Sequence, residues 1–328
     1  MQKIIHSRIL VTGGAGFIGS NLCEILLKQE NEVICLDNFS TGRRENISSF
    51  IHNHRFTLIE GDIRNFADCQ KAVAGVDFVL HQAALGSVPR SIANPLVTNE
   101  VNINGFVNIL HAAVQAKIKR VVYASSSSVY GDHPNLPKEE HLIGNLLSPY
   151  AVTKYTNELY AQIFSKLYEI ECIGLRYFNV YGKNQNPSGE YSAVIPRFIR
   201  QLMRHESPII FGDGSQSRDF TYIADVVQAN QLAALVDTQE GINQVYNIAF
   251  HGRTSLKELV KLLTELLESF DERIAHLSPT YATERKGDIK HSFASIDKAQ
   301  RLLGYQPQYN IREGLKNTID WYWNNWKE

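Results

Sequence analysis

A doubly wound, parallel α/β sheet with a smaller, discontinuous α/β lobe is the fold class this sequence predicts, and three observations carry it. A glycine-rich turn near the start of the chain joins an apolar run to an amphipathic stretch. Apolar runs and amphipathic stretches then alternate through about residue 180, the pattern of a parallel sheet with helices on both faces. One more apolar run, 245–249, appears after a loop-rich stretch, so the chain crosses back to the sheet before it finishes.

The turn reads Thr12-Gly13-Gly14-Ala15-Gly16-Phe17-Ile18-Gly19. Ile9-Leu10-Val11 before it is a short buried strand, and Phe17, Ile18, Leu22, Ile25 and Leu26 after it share one helical face. Strand, glycine turn and helix in that order are the context of a Rossmann-like nucleotide site. Gly13 permits the tight turn, Gly16 lets the backbone approach a pyrophosphate, and Gly19 allows close helix–strand packing. The helix N-terminus attracts the phosphates. The second strand, 32–36, runs into Asp37. A carboxylate there accepts from a ribose 2′-hydroxyl and repels a 2′-phosphate, which favours NAD over NADP. Arg43 and Arg44 are the counterweight, because an arginine neutralises such a phosphate.

Further strands are expected at 56–60, 78–81, 121–125 and 172–177, and helices at 66–74, 95–116 and 150–168. The implied organisation is an NAD-binding domain over 1–180, with a return segment at about 222–250, and a second lobe within 181–328. In that lobe, loops rich in Gly, Asn, Ser and Pro, such as 183–192 and 212–218, separate shorter elements. Loops of this kind are where a substrate site is assembled on a rigid scaffold. The stretch 311–326, with Leu315, Ile319, Trp321, Tyr322 and Trp326, reads as a packed amphipathic helix.

Composition narrows the function. The chain has 328 residues and a net charge of −1, which gives no basis for nucleic-acid binding. Cys23, Cys35, Cys69 and Cys172 show no paired spacing and read as small core residues in a reducing compartment. His52 and His54 read as surface residues, and no metal site is expected. No apolar run approaches the length that spans a bilayer, and the chain moves directly into its first strand, so a cytoplasmic protein is expected.

The chemistry lies in Tyr150, Lys154 and the run Ser125-Ser126-Ser127-Ser128. Four residues are just over one helical turn, so Tyr150 and Lys154 project from one helix face. A phenol, an ammonium and a hydroxyl together can move the proton of a secondary alcohol. The ammonium is expected to lower the tyrosine pKa from its ordinary value of about 10.

Seven segments in order resemble the extended short-chain dehydrogenase/reductase family. They are the glycine turn, Asp37-Asn38, Gly61-Asp62-Ile63, His81-Gln82-Ala83-Ala84, the serine run ending Val129-Tyr130-Gly131, Tyr150-x-x-x-Lys154, and Arg176-Tyr177-Phe178-Asn179-Val180-Tyr181-Gly182. The resemblance covers nearly the whole chain. It implies a Rossmann-like NAD domain, a lobe that binds nucleotide sugars, and a homodimer built on helices 95–116 and 150–168. It also implies NAD contacts at Asn38, Asp62, Ile63, Ala83, Ala84, Asn102 and Tyr177, beside those of the glycine turn, Tyr150 and Lys154.

Dehydratases of that family carry Asp-Glu where this chain has Ser127 and Ser128, and the decarboxylases usually keep the glutamate. A serine is a poor acid or base at neutral pH. The chain therefore suits reversible hydride exchange, which is 4-epimerisation. It is similar to epimerases of UDP-N-acetylhexosamines or their uronic acids. The segments that carry this are 85–91, 148–154, 191–197, 212–220 and 285–292.

The same resemblance assigns substrate roles. Ser126 is the catalytic hydroxyl, and Gly86, Ser87, Arg90 and Ser127 border the sugar. Asn179, Arg218 and Arg285 hold the diphosphate, and Val194 and Asp288 contact the uridine. Ser292 occupies a position that is tyrosine in enzymes restricted to UDP-glucose and UDP-galactose, leaving room for a 2-acetamido group. The expected activity is conversion of UDP-N-acetylglucosamine to UDP-N-acetylgalactosamine, with UDP-glucose and UDP-galactose as further substrates. UDP-N-acetylglucosaminuronate epimerisation, a net reductase, and a silent NAD or nucleotide-sugar sensor stay open.

Overall fold

The computed structural model describes residues 2–187, 192–284 and 290–326. Its centre is a seven-stranded parallel sheet. The strands are β1 (Arg8–Thr12), β2 (Glu32–Asp37), β3 (Phe56–Glu60), β4 (Phe78–His81), β5 (Arg120–Ser126), β6 (Glu171–Tyr177) and β7 (Val245–Ile248). Their order across the sheet is β7-β6-β5-β4-β1-β2-β3. The strand order reverses between β1 and β4, which makes the carboxyl ends of those two strands the place for a ligand crevice.

Eleven α-helices surround the sheet among the described residues: α1 (Phe17–Lys28), α2 (Phe66–Val73), α3 (Val88–Ala93), α4 (Pro95–Asn99), α5 (Gly105–Gln115), α6 (Pro149–Tyr168), α7 (Val194–Met203), α8 (Ile223–Leu235), α9 (Leu256–Leu267), α10 (Asp297–Leu303) and α11 (Ile311–Asn325). The apolar strands are buried on both faces. Two hydrophobic clusters lie on them, one with Val11, Leu80 and Val122, the other with Leu10, Val79 and Val121. Successive residues of β1, β4 and β5 thus serve opposite cores, as the two-residue period of a strand requires. All four cysteines are free, buried thiols.

Two elements matter most for the site. The expected helix 95–116 is α4 and α5 joined by a wider π turn at Glu100–Asn104. Such turns concentrate at functional sites, and this one presents Asn102. Helix α6 begins one residue before its predicted start. Pro149 fills the first turn, where its missing N–H costs nothing, and the Ser148 hydroxyl accepts from the Ala151 N–H at 3.1 Å. The helix ends at Glu169 in a left-handed conformation, φ 57°.

The second lobe gathers α7, α9 and α11 around three short ribbons: Val180–Tyr181 with Thr221–Tyr222, Ser217–Arg218 with Thr254–Ser255, and Ile209–Phe211 with Thr280–Ala282. Helix α8 is buried along most of its length and leads from this lobe back to β7 on the main sheet.

Candidate active site

A groove opens at the crevice between β1 and β4. Its wall contains Gly13, Gly16, Phe17, Ile18, Gly19, Asp37, Asn38, Asp62, Ile63, Ala83 and Ala84, and Gly86 lies at its end. Backbone geometry explains the glycines. Gly13 has φ +67°, and a Cβ on Gly19 would lie 2.1 Å from the Gly13 carbonyl oxygen. Any side chain at Gly19 would push α1 away from the turn. Gly16 caps α1 without a side-chain acceptor, and the first turn carries no acidic residue. The positive end of α1 is therefore available to a pyrophosphate.

Asp37 accepts from the Ala15 N–H at 2.9 Å and the Phe39 N–H at 2.8 Å, one bond to each carboxylate oxygen. Burial raises its pKa against those bonds. The two arginines that argued for a 2′-phosphate are engaged elsewhere. Arg44 pairs with Glu60 at 2.7 Å and lies over Phe39, while Arg43 meets Glu45 at 3.3 Å and lies over Trp326. The groove residues fit NAD. Asp62 is bound by Arg64, which with other donors outweighs its burial and holds its pKa at about 2; Asn38 also donates to it at 2.8 Å.

Beside the groove stand the three residues expected to move protons. Tyr150 is half-buried on the first turn of α6 and lies close to the Ser126 side chain. Lys154 is buried, and its ammonium donates to the Ala124 carbonyl at 2.8 Å. Burial lowers the lysine pKa to about 8, against the attraction of Glu158 one turn on.

The tyrosine corrects the sequence reading. Its pKa is raised above 10 by burial, only partly offset by Ser126. The ammonium is committed to a backbone carbonyl, and loss of water around the phenol sets the direction of the shift.

Polar networks fix the surroundings. Arg176 grips Glu158 through two bonds of 2.9 and 2.7 Å, and the Ser125 hydroxyl donates to the same carboxylate at 2.5 Å. Both ionic partners are buried, so removing either would leave an unpaired buried charge, a loss of about 3–5 kcal/mol. The Thr12 hydroxyl hydrogen-bonds His81 Nδ1 at 2.8 Å and accepts from the Ala83 N–H, joining β1 to β4 below the groove. Burial holds His81 neutral, with a pKa of about 3.

Tyr177 lies outside the groove wall. Its hydroxyl donates to Gln82 Oε1 at 3.1 Å and accepts from Asn230 Nδ2 at 2.9 Å, positioning Gln82, which does line the groove. Asn102 acts chiefly through the Leu85 backbone. It accepts from the Leu85 N–H at 2.7 Å and donates to the Leu85 carbonyl and the Thr153 hydroxyl, fastening the end of the groove to α6.

A second pocket is formed in the other lobe, with Asn179, Val194 and Arg218 in its wall. Arg218 donates to the Ser217 and Lys290 carbonyls, and Asn179 donates to the Asp219 carbonyl. The wall also holds Gln185, Arg197 and Phe211, which sequence reasoning did not single out. Gln185 keeps a buried Oε1 without a partner among the described residues. Its signal in the sequence was only its place in the loop 183–192.

The remaining expected contacts are more dispersed. Ser87 caps α3 with φ 108° and accepts from the Arg90 N–H at 3.3 Å; neither residue is in the wall of either pocket. Ser127 opens the 3-10 turn Ser127–Tyr130. Ser292 donates its N–H to the Ser217 carbonyl at 3.0 Å, which sets it beside the strand that carries Arg218. Arg285 and Asp288 lie outside the described residues. Among the described residues there is no cluster of three metal-ligating side chains, and no helix is long and apolar enough to cross a membrane.

A glycine turn at a helix N-terminus, an acid closing β2 and a crevice at the strand-order reversal define a dinucleotide-binding α/β protein. Residues 9–249 match the NAD dependent epimerase/dehydratase family, and the chain belongs to it. A putative UDP-glucose 4-epimerase from Methanocaldococcus jannaschii is 38% identical over 97% of this chain and 99% of its own length. A UDP-N-acetylglucosamine 4-epimerase from Methanobrevibacter ruminantium M1, solved with UDP-N-acetylmuramic acid, is 38% identical with a TM-score of 0.91, covering 98% of this chain and 99% of its own. A UDP-glucuronic acid 4-epimerase from Bacillus cereus, solved with UDP-glucuronic acid and NAD, is 34% identical with a TM-score of 0.87, covering 97% and 99%.

The raised phenol makes a measurable prediction. In NAD-free protein, the phenolate absorbance present in wild type and missing from Tyr150→Phe should emerge only above pH 10. Because the folded value is raised, this group's contribution to stability is complete below pH 10 and lost as pH rises through the folded value. A phenolate from Tyr150 in NAD-free protein near neutral pH would contradict the burial argument.

Proposed function

We propose that this chain is an NAD-dependent UDP-sugar 4-epimerase that interconverts UDP-N-acetylglucosamine and UDP-N-acetylgalactosamine through a 4-keto sugar. The observation that carries the reading is Tyr150 set close to Ser126, with Lys154 seated on the same strand end and serine at both positions where an elimination enzyme needs an acid and a base. NAD held in the groove would supply the hydride chemistry, accepting a hydride from C4 of the sugar and giving it back.

Tyr150 removes the proton of the 4-hydroxyl and later gives it back, while Ser126 holds O4 between the two steps. Lys154 orients the nicotinamide ribose and supplies positive charge beneath the phenol once ligands fill the site. Asn179, Arg218 and Arg285 anchor the diphosphate, because planar guanidinium groups suit paired phosphate oxygens. Val194 and Asp288 meet the uridine, and the keto sugar turns about its pyrophosphate link. Gly86, Ser87, Arg90 and Ser127 border it, and Ser292 leaves the space a 2-acetamido group needs.

Support for the N-acetylated substrate is the small Ser292 and the likeness to a UDP-N-acetylglucosamine 4-epimerase. A uronate substrate has support of its own in Arg90 and in the likeness to a UDP-glucuronic acid 4-epimerase.

A homodimer completes the proposal. Val152, Leu159, Ile163 and Leu167 expose one apolar face of α6, and Ile92 and Leu96 extend it from α3 and α4, with Leu96 76% exposed. A stripe of this kind is covered in a stable assembly. A one-chain mass at sedimentation equilibrium would remove the dimer from the account.

The test of specificity compares UDP-N-acetylglucosamine, UDP-glucose and UDP-N-acetylglucosaminuronate, each with purified protein and products resolved by NMR. The 4-epimer of the first is the expected product, and turnover of the uronate alone would move the assignment to the acid. Tyr150→Phe should lower turnover by roughly a hundredfold or more, the scale of lost general acid–base catalysis. Ser292→Tyr should depress turnover of the N-acetylated sugar more than that of UDP-glucose. Equal losses would take Ser292 out of the specificity argument.

A further inference from the structure

Helix α11 and the residue that follows it touch both ligand-binding regions. Just past its last turn, the Trp326 ring lies under the Arg43 guanidinium, 5.0 Å from its centroid. Arg43 sits in the loop whose Ser40 and Thr41 form part of the NAD groove wall. One turn earlier, buried Tyr322 donates its hydroxyl to the Gln185 carbonyl, on the loop that lines the second pocket.

The Arg43 loop has little slack. The Arg43 N–H and the Asn46 amide both donate to the Ala15 carbonyl of the glycine turn, at 3.0 and 2.8 Å. A Cβ on Gly42 would lie 2.8 Å from the Asp37 carboxylate. A shift of Arg43 is therefore passed to Ala15 and Asp37, the two residues joined by a hydrogen bond at the groove. The Arg43 side chain also meets Glu45, whose side chain is 72% exposed, and an ion pair so wet holds a loop weakly. An indole face attracts a guanidinium through its quadrupole and shields it from water. The Trp326 ring nitrogen is buried without a partner among the described residues, so packing and Arg43 rather than a hydrogen bond hold the ring.

We propose that Trp326 is a positioning residue for the cofactor: through Arg43 it fixes the loop over the NAD groove and sets how tightly NAD is retained. Neither Trp326 nor Arg43 has a role in the epimerase reading, so the two fail separately.

The experiment strips NAD from the full chain and titrates NAD and UDP separately by calorimetry in Trp326→Ala, Arg43→Ala, the double variant and Trp326→Phe. Each alanine variant should bind NAD roughly tenfold more weakly, the size of one partly desolvated cation–aromatic contact. The double variant should be no worse than either single one, because both remove the same interaction. Trp326→Phe should restore NAD affinity, and UDP affinity should stay at the wild-type level throughout.

NAD affinity unchanged in both single alanine variants would overturn the proposal. So would additive losses, or an equal loss of NAD and UDP binding, which marks general damage to the lobe. If Trp326→Ala fails to fold, Arg43→Ala and Trp326→Phe carry the test, and wild-type NAD affinity in Arg43→Ala decides against the proposal.

Discussion

The Lys154 ammonium, taken out of water and held on the Ala124 carbonyl, is the interaction on which the site depends. It joins α6 to the end of β5, and that seating brings Tyr150 next to Ser126. A lysine moved from its ordinary pKa of 10.5 to about 8 costs the fold about 3 kcal/mol at neutral pH. The cost is relieved as pH rises between those values, because the folded lysine releases its proton first. Glu158, one helical turn on, offsets part of it and is itself held by Arg176 and Ser125. The protein thus keeps a destabilising charge beside Tyr150 and Ser126 and stabilises it with a second buried pair.

The two halves of the site use different physics. The NAD groove is a product of backbone: close glycine packing, an uncapped helix end and a carboxylate held by two amide N–H groups. Its shape follows from the strand reversal between β1 and β4. The second pocket is a product of side chains carried on short ribbons and loops, with Arg218 and Gln185 as examples. A backbone-built groove tolerates little change, whereas a loop-built pocket changes its preference with single residues. This difference explains how one scaffold serves relatives named for glucose, glucuronic acid and N-acetylglucosamine substrates.

Much of the sheet and its groove was legible in the sequence because apolar runs and the glycine turn are local signals. The strands at 56–60 and 78–81 have the bounds that periodicity gave them. What stayed hidden depends on tertiary contact. The π turn at Glu100–Asn104 leaves no mark on an amphipathic pattern, yet it sets Asn102 against Leu85. Tyr177 falls within a recognisable motif, but only the packing of α8 supplies Asn230 to engage its hydroxyl. The raised Tyr150 and the redirected Lys154 are likewise effects of burial, which residue spacing does not report. Arg43 and Arg44 were ambiguous in sequence and are resolved by Trp326, Glu45, Phe39 and Glu60 around them.

In the proposed 4-epimerisation a hydrogen leaves C4 of the sugar and returns to the same carbon on the other face within one protein molecule. The direct test is UDP-N-acetylglucosamine deuterated at C4, incubated with purified protein and no added cofactor, with the sugar products read by NMR. The expected product is a 4-epimer that keeps its deuterium at C4, with no free reduced cofactor accumulating. Loss of the label to water, or product formed only with stoichiometric oxidation or reduction of added cofactor, would contradict it.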